Sequence, residues 1–282
     1  MTAAVPRSIL ITGASSGIGH AAAIGLRARG YRVFATARRD EDLRALEAAG
    51  VEALFLDYRD GASIAAAAET VLARTDGRLY GLFNNGAYGQ PGAVEDLTTD
   101  VLRMQFEANL FGWHDLTRRV IPAMRAAGEG RIVQCSSVLG IIAMKYRGAY
   151  NASKHALEGL TDTLRLELDG TGIKVVSIRP GPIATRFVPN AMAMFHANID
   201  IDASAHRDIY RRRLERMARG GASRFKLGPE AVVAKLVVAL EHPNPAPAYA
   251  VTLPTHVMGL ARRFLPERWR SALLGRLSDA EA

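Results

Sequence analysis

The chain has 282 residues, of which 49% are apolar and 23% charged, enough for a packed interior. No run of 18 or more apolar residues is present, which argues against a membrane-spanning helix. Cys135 is the single cysteine, which excludes an internal disulfide, and we expect a cytoplasmic protein.

The net charge of +8 is distributed unevenly. Residues 207–276 contain 14 Lys and Arg against 5 Asp and Glu, a net of +9, so the rest of the chain is near −1. Binding to nucleic acid requires a basic face with stacking aromatic residues or a known module, and neither is evident. We expect most of these arginines to lie on solvated helix faces, with a role at a membrane surface as the less favoured alternative.

Short apolar segments alternate with helical patterns along the chain. The predicted strands are residues 9–12, 32–37, 53–57, 81–84, 131–136, 174–178 and 248–252. The predicted helices are residues 17–29, 41–48, 61–74, 98–126, 150–169 and 229–241. This alternation predicts one α/β domain over residues 1–282, a doubly wound, Rossmann-type three-layer sandwich with a seven-stranded parallel sheet. Residues 187–227 interrupt the alternation, and we interpret them as a substrate-loop insertion over the active site.

A glycine-rich turn joins the first predicted strand to the first predicted helix. Gly13, Gly17 and Gly19 lie in this turn. Small residues allow the backbone to approach a pyrophosphate, and the N-terminus of a helix favours its negative charge. The turn therefore indicates a nucleotide site, although a glycine-rich turn alone is a weak signal.

The end of the second predicted strand indicates which dinucleotide binds. An acidic residue there would bind the ribose 2′-hydroxyl of NAD and repel a 2′-phosphate. The chain instead has Arg38 and Arg39, with no acid before Asp40. An arginine pairs well with a phosphate, so we predict NADP. The alternative is that both arginines are simply exposed loop residues.

Tyr150 and Lys154 are four residues apart and share one face of a predicted helix. Tyrosine holds its proton to about pH 10, so it needs a lowered pKa to act as a base near neutrality. We expect the Lys154 ammonium to lower that pKa. Ser137 lies 13 residues before Tyr150 and could hydrogen-bond a substrate oxygen. Ser136 competes for this role, and the spacing favours Ser137.

These motifs together resemble the short-chain dehydrogenase/reductase family. The resemblance is strong over residues 6–186, and the matching residues are the Thr-Gly-x-x-x-Gly-x-Gly run at 12–19, Asn84-Asn85-Gly86-Ala87, Asn109, Ser137, Tyr150, Lys154 and Pro180-Gly181. One departure is Gly86-Ala87, where the family usually has Ala-Gly. Because both residues are small, we expect a local backbone adjustment that preserves cofactor binding.

The resemblance implies a role for each matching residue. It implies that Tyr150 is the acid/base, Ser137 polarises the carbonyl, Lys154 also binds the cofactor ribose, and Asn109 holds a water in the proton relay. The implied cofactor-binding residues are Gly13, Ser15, Ser16, Gly17, Ile18, Gly19, Arg38, Asp57, Asn85, Tyr150, Lys154, Pro180, Ile183 and Thr185. Asp57 would contact the adenine and Asn85 would lie beneath the cofactor, although both could be turn-forming residues at strand ends. The seven histidines show no ligand pairing, so no metal is implied.

The predicted activity is NADP(H)-dependent hydride transfer between the nicotinamide and a hydrophobic aldehyde, ketone or alcohol. Apolar residues between Ser137 and Tyr150, and again after Thr185, converge on the nicotinamide end. Within the family the pattern is similar to bacterial NADP-dependent aldehyde reductases and to steroid and retinol dehydrogenases. We expect a homodimer or homotetramer. The alternatives are a peripheral membrane reductase of lipid-like carbonyls and a non-catalytic NADP-binding redox sensor.

The C-terminal segment 256–282 has an amphipathic helical pattern. Its apolar positions, interrupted at Pro266, are Val257, Leu260, Ala261, Phe264, Leu265, Trp269, Leu273, Leu274 and Leu277. Arginines form a basic side. We predict that this extension docks on the protein near the substrate entrance, in preference to a membrane surface.

Overall fold

A computed structural model describes residues 6–218 and 225–280 of the chain. Seven parallel strands form one sheet in the order β3-β2-β1-β4-β5-β6-β7, which confirms the predicted fold class. The strands are β1 Ser8–Ile11, β2 Arg32–Ala37, β3 Glu52–Phe55, β4 Leu79–Asn84, β5 Gly130–Cys135, β6 Ile173–Arg179 and β7 Ala248–Ala250. Their bounds differ from the predicted ones by up to two residues at each end.

Helices cover the two faces of the sheet. α1 packs with α9 in one layer, and α3 packs with α5 in the other. The helices are α1 Gly17–Ala28, α2 Asp40–Ala48, α3 Gly61–Arg74, α4 Thr99–Phe106, α5 Gly112–Ala127, α6 Gly148–Glu167, α7 Phe187–Asn198, α8 Arg207–Ala218, α9 Glu230–Glu241, α10 Leu253–Phe264 and α11 Glu267–Ala280. β1 lies between β2 and β4, so the strand order reverses there. In such a sheet, ligands bind at the carboxyl ends of the strands beside this reversal.

The segment predicted as one helix over 98–126 is divided. A π-helical turn, Glu107–Phe111, separates α4 from α5. Two contacts account for it. The Asn109 side chain is pulled inward to the Tyr88 backbone, and Gly112 is so close to Tyr58 that a Cβ there would lie 2.3 Å from the Tyr58 carbonyl oxygen. Such single π turns are frequent at functional sites.

The predicted insertion, 187–227, contains α7 and α8, and its residues 219–224 lie outside the described residues. A second, smaller apolar cluster, built on Ala93, Phe195, Ile199 and Tyr210, joins these helices to the segment before α4. The Tyr210 hydroxyl donates to Asp96 at 2.5 Å and accepts from the Ala93 amide at 2.6 Å. The two helices are thereby attached to the carboxyl edge of the sheet.

α10 and α11 cross the segment between Ser137 and Tyr150. Gly259 faces Ile141, and the Arg262 guanidinium donates to the Ile141 carbonyl at 3.0 Å. Of the predicted apolar stripe, Ala261, Leu265, Leu273 and Leu274 are half-buried, together with Gly259. The apolar side chains left exposed on these helices are Leu253, Val257, Leu260, Phe264, Trp269 and Leu277. Across residues 6–218 and 225–280, no helix combines the length and apolarity needed to cross a membrane.

Candidate active site

Ser137, Tyr150 and Lys154 meet at the carboxyl end of β5. Ser137 is the second residue after β5, and its hydroxyl accepts from the Leu139 amide at 3.1 Å. Tyr150 and Lys154 lie one turn apart on α6. The Ser137 side chain is close enough to Tyr150 to lower the pKa of its phenol, whereas the buried Ser136 hydroxyl has no partner among the described residues. Of the two serines, Ser137 is therefore the one directed at the tyrosine.

Desolvation dominates the electrostatics of Tyr150. It raises the pKa of the phenol well above its usual value, and the neighbouring Ser137 hydroxyl and Arg147 guanidinium only partly oppose this. The expected lowering by Lys154 is not seen, because the Lys154 ammonium lies 5.8 Å from the ring centroid and donates to the Cys135 carbonyl at 2.9 Å. Tyr150 thus holds its proton firmly, as a proton donor must before reaction.

Lys154 is almost completely enclosed, with 1% of its surface exposed. Burial lowers its pKa from 10.5 to about 8, while the nearby Cys135 and Glu158 act in the opposite direction. Glu158 is itself held by the Arg179 guanidinium at 2.7 Å and the Ser177 hydroxyl at 3.2 Å. The lysine charge therefore lies in a weakly compensated environment beside the tyrosine.

Asn109 is fully buried in the π turn. Its side-chain oxygen accepts from the Tyr88 amide at 3.2 Å, and its amide nitrogen donates to the Tyr88 carbonyl at 2.9 Å and the Ser153 hydroxyl at 3.4 Å. The Ser153 hydroxyl in turn donates to the Tyr150 carbonyl. The Asn109 side chain therefore fixes the loop after β4 relative to α6, and its role in a water relay stays a prediction.

The glycine turn is packed too closely against neighbouring backbone to hold larger residues at Gly13 and Gly19. Gly13 adopts a φ of 64°, and a Cβ there would lie 2.4 Å from the Gly86 Cα. A Cβ at Gly19 would lie 2.3 Å from the Gly13 carbonyl oxygen. Ser16 precedes α1, and among the described residues its side chain makes no capping hydrogen bond. Ser15 and Ile18 flank this helix start, so the amides of the first turn and the Ser16 hydroxyl fit an anionic group.

Asn85 connects the ends of β1 and β4. Its side-chain nitrogen lies 3.1 Å from the Thr12 carbonyl and 3.3 Å from the Gly13 carbonyl, and its backbone amide donates to the Thr12 hydroxyl at 2.9 Å. Gly86 follows in a confined position, since a Cβ there would lie 3.2 Å from the Tyr58 ring. The exchanged Gly86-Ala87 order thus fits a loop pressed against a large aromatic side chain.

The two arginines after β2 have different surroundings. Arg39 pairs with Glu41 at 2.7 Å and Asp42 at 2.8 Å on α2. The Arg38 side chain is mostly exposed and lies 3.8 Å from Asp57. Burial alone would raise the pKa of Asp57, but hydrogen bonds from the Arg59 side chain and backbone outweigh it and lower that pKa. Arg38 is the arginine placed to meet a ligand at the end of this strand.

The loop after β6 closes against the glycine turn. Pro180 accepts a hydrogen bond from the Val138 amide at 2.8 Å, which ties the loop to the segment after Ser137. Ile183 forms a bridge with Leu227. The Thr185 methyl carbon would lie 2.9 Å from a Cβ at Gly17. The predicted residues Pro180, Ile183 and Thr185 therefore line the edge that also carries the catalytic set.

Sequence reasoning missed the side chains that support this site from behind. Tyr58 and Trp113 are both buried next to the loop at 84–86. Phe187, which sequence reasoning placed only among the apolar residues after Thr185, stacks edge-on against Tyr150 with ring centroids 5.3 Å apart. Gly89 makes room for it, since a Cβ there would lie 2.9 Å from the Phe187 ring. The sequence signal that could have indicated these large aromatic side chains was the glycine at position 86, where the family usually has alanine.

No group of three or more His, Cys, Asp and Glu side chains that could hold a metal ion occurs in the described parts of the chain.

Comparison with known proteins identifies the family. The family model for short chain dehydrogenases matches residues 7–194. The chain belongs to the short-chain dehydrogenase/reductase family.

Several relatives span nearly the whole chain. The uncharacterized oxidoreductase YbbO of Escherichia coli strain K12 is 41% identical, covering 95% of this chain and 94% of its own. The 3-ketodihydrosphingosine reductase of Bacteroides thetaiotaomicron is 34% identical, and the match covers 84% of this chain and 86% of that protein.

Among solved structures, a short-chain dehydrogenase from Streptomyces avermitilis is similar, with a TM-score of 0.77, 30% identity and 96% coverage of both chains. The actinorhodin polyketide ketoreductase with NADPH has a TM-score of 0.70 and 31% identity, and the match covers 89% of this chain and 97% of that chain. This short-chain dehydrogenase/reductase is thus an oxidoreductase of the nicotinamide-dependent kind.

Proposed function

We propose that the protein is an NADP(H)-dependent reductase of hydrophobic aldehydes or ketones, with Tyr150 as proton donor. The observation that carries the proposal is that the Ser137 side chain and the Tyr150 phenol lie together beside the buried Lys154. The Ser137 hydroxyl can hold a carbonyl oxygen, and the Tyr150 phenol can protonate that oxygen as charge develops on it. When bound, the nicotinamide supplies the hydride. The raised pKa of Tyr150 keeps the donor protonated at neutral pH.

The preference for NADP is supported by the end of β2. Arg38 is exposed there and no acidic residue precedes it, so a 2′-phosphate would meet a guanidinium rather than a carboxylate. Asp57 lies close by, but its carboxylate is paired with Arg59 at 2.9 Å. The ketoreductase of similar structure at 31% identity was solved with NADPH.

The hydrophobic substrate is supported by the side chains around Tyr150. Phe187 packs on the Tyr150 ring, and Ile142 and Tyr88 are buried or half-buried on neighbouring loops. Ser137 and Arg147 are the polar groups that lower the pKa of the phenol. Apolar walls with a few convergent polar groups are typical of small-molecule sites. The relative from Bacteroides thetaiotaomicron is named for reduction of 3-ketodihydrosphingosine, which favours long-chain carbonyls among the candidates.

The decisive experiment measures NADPH consumption over aldehydes and ketones of graded chain length, with NADH in parallel. We expect turnover with NADPH that improves with chain length. Tyr150→Phe should retain NADPH binding and lose about a hundredfold or more in kcat, because only the phenolic proton is removed. Near-normal kcat in this variant would contradict the assignment. Absence of turnover with every carbonyl, despite tight NADPH binding, would favour the redox-sensor alternative.

A second candidate is the same reductase working at a membrane surface. The stripe formed by Leu253, Val257, Leu260 and Phe264 recurs every three to four residues and is exposed along α10. Phe264 is 71% exposed, and Arg263 lies beside it with its guanidinium 5.6 Å from the ring. Apolar and aromatic side chains flanked by arginines suit an anionic lipid surface.

Flotation with vesicles tests this second candidate. We expect the full chain to float with phosphatidylcholine vesicles containing phosphatidylglycerol, and less with phosphatidylcholine alone. Leu260→Glu combined with Phe264→Glu should abolish flotation. Leu166→Glu is the matched control, because Leu166 is 79% exposed on α6, outside the stripe. A full chain that floats with neither vesicle type excludes the membrane-surface role.

A further inference from the structure

Trp113 on α5 lies directly against the catalytic lysine. The Lys154 Nζ is 4.2 Å from the centroid of the indole ring, and the indole is completely buried. A cation over the face of tryptophan is attracted by the negative face of the ring, most strongly in a desolvated site. The contact therefore involves a buried charge of the candidate active site.

The charge on Lys154 has few other partners. From β5, the Cys135 carbonyl accepts one hydrogen bond from the ammonium at 2.9 Å, and the Cys135 thiol faces it with a pKa raised by burial to about 11. On α6, Tyr150 lies one turn before it and Glu158 one turn after, but the Glu158 carboxylate is paired with Arg179. In the described residues, no carboxylate lies within ion-pair distance of Nζ. An ammonium has three donors, so the indole face compensates a charge that the single carbonyl does not satisfy.

The other edge of the indole reaches the loop beneath the predicted cofactor site. The Trp113 Nε1 donates to the Gly86 carbonyl at 2.8 Å. The Tyr58 ring packs on the indole with centroids 5.9 Å apart. The Tyr58 hydroxyl lies 2.7 Å from both the Thr12 hydroxyl and the Asn84 side-chain oxygen. Trp113 thus connects the lysine to the loop that follows β4.

We propose that Trp113 is a positioning residue that holds the Lys154 ammonium in place and in its charged form beside Tyr150. The indole face contacts the ammonium, and the indole N–H fixes the ring through Gly86. Its kinetic consequence rests on the proposed function, whereas the contact itself can be measured without turnover.

The spectroscopic test uses the fact that the chain has only two tryptophans. Trp269 on α11 is 68% exposed and far more accessible than Trp113, so Trp269→Phe leaves a protein whose emission comes from Trp113 alone. We expect that emission to change with pH as Lys154 loses its proton, with a midpoint near pH 8, and to become flat between pH 6.5 and 9.5 when Lys154→Met is added. Emission that is already independent of pH in Trp269→Phe overturns the proposal.

The kinetic test compares two replacements of Trp113. Trp113→Phe keeps an aromatic face and loses the N–H, whereas Trp113→Leu loses both. Without an aromatic face the lysine should deprotonate at lower pH, so the alkaline limb of the kcat profile should move down by about one pH unit in Trp113→Leu and much less in Trp113→Phe. Equal alkaline limbs in the two variants would refute the positioning role, since a purely structural effect would lower kcat without moving the limb.

The emission titration and the kinetic comparison give independent results. If the wild-type protein reduces no carbonyl, the proposed function fails while the emission of the Trp269→Phe protein still decides the contact. If Trp113→Leu does not fold, the emission titration and its Lys154→Met control decide the proposal alone.

Discussion

The buried lysine makes a quantitative prediction about stability. Lys154→Met removes an ammonium that is 1% exposed and replaces it with an apolar side chain of similar length. Burial lowers the pKa of this lysine from 10.5 to about 8, so the folded protein binds the proton more weakly than the unfolded chain does. The difference between the two pKa values corresponds to about 3 kcal/mol. Below pH 7.5 the lysine is largely protonated in both the folded and the unfolded protein, so the free energy of unfolding of the wild type is lowered by this full amount.

The penalty disappears as pH rises through the window between the two pKa values. Above pH 8 the folded lysine is neutral, and by pH 10.5 the unfolded lysine is half neutral, so about 1 kcal/mol of the penalty is left at pH 10. The free energy of unfolding of the wild type should therefore gain about 2 kcal/mol relative to Lys154→Met between pH 6.5 and 10. Packing effects of the new methionine do not depend on pH and cancel in this comparison.

The assay is urea unfolding of both proteins without cofactor, at pH 6.5 and pH 10 and at one protein concentration. Cys135 and Tyr150 are present in both proteins, so their own ionisation changes both curves alike to a first approximation. The reasoning is refuted if the stability difference between wild type and Lys154→Met is the same at the two pH values.

Three further predictions follow from other parts of the molecule. Arg38→Asp should lower kcat/KM for NADPH by about ten- to a hundredfold, because a charge-assisted contact is lost, and should leave kcat/KM for NADH unchanged or improved. Equal kcat/KM of the wild type for the two cofactors would contradict this prediction. Glu158→Ala should lower the free energy of unfolding by about 1–3 kcal/mol, because the partly buried Arg179 loses its partner. Glu158→Gln is the matched control in urea unfolding, and an unchanged free energy of unfolding for Glu158→Ala would show that the pair contributes little. Removal of residues 256–282 should raise KM for long-chain carbonyls more than for short ones; equal changes, in a truncated enzyme that still binds NADPH, would exclude a role at the substrate entrance.

The amino-acid sequence by itself determined the sheet, its helical layers and the family. The alternation of buried strands with amphipathic helices is a local pattern, and it is enough to predict a seven-stranded parallel sheet. The spacing of Tyr150 and Lys154 is likewise local, because residues four apart on a helix share a face wherever that helix packs. The glycine turn at 13–19 is identified by position, since it lies between a strand and a helix.

Only the tertiary structure decided the environment of these residues. The rise in the pKa of Tyr150 comes from desolvation by α7 and neighbouring loops, and the Trp113 contact with Lys154 joins residues 41 positions apart. The π turn at Asn109 depends on the Tyr88 backbone, which the helical pattern of 98–126 does not contain. The exposure of Phe264 depends on which face of α10 packs on Ile141. Burial and long-range contact are properties of the assembled layers, whereas periodicity and spacing are properties of the chain.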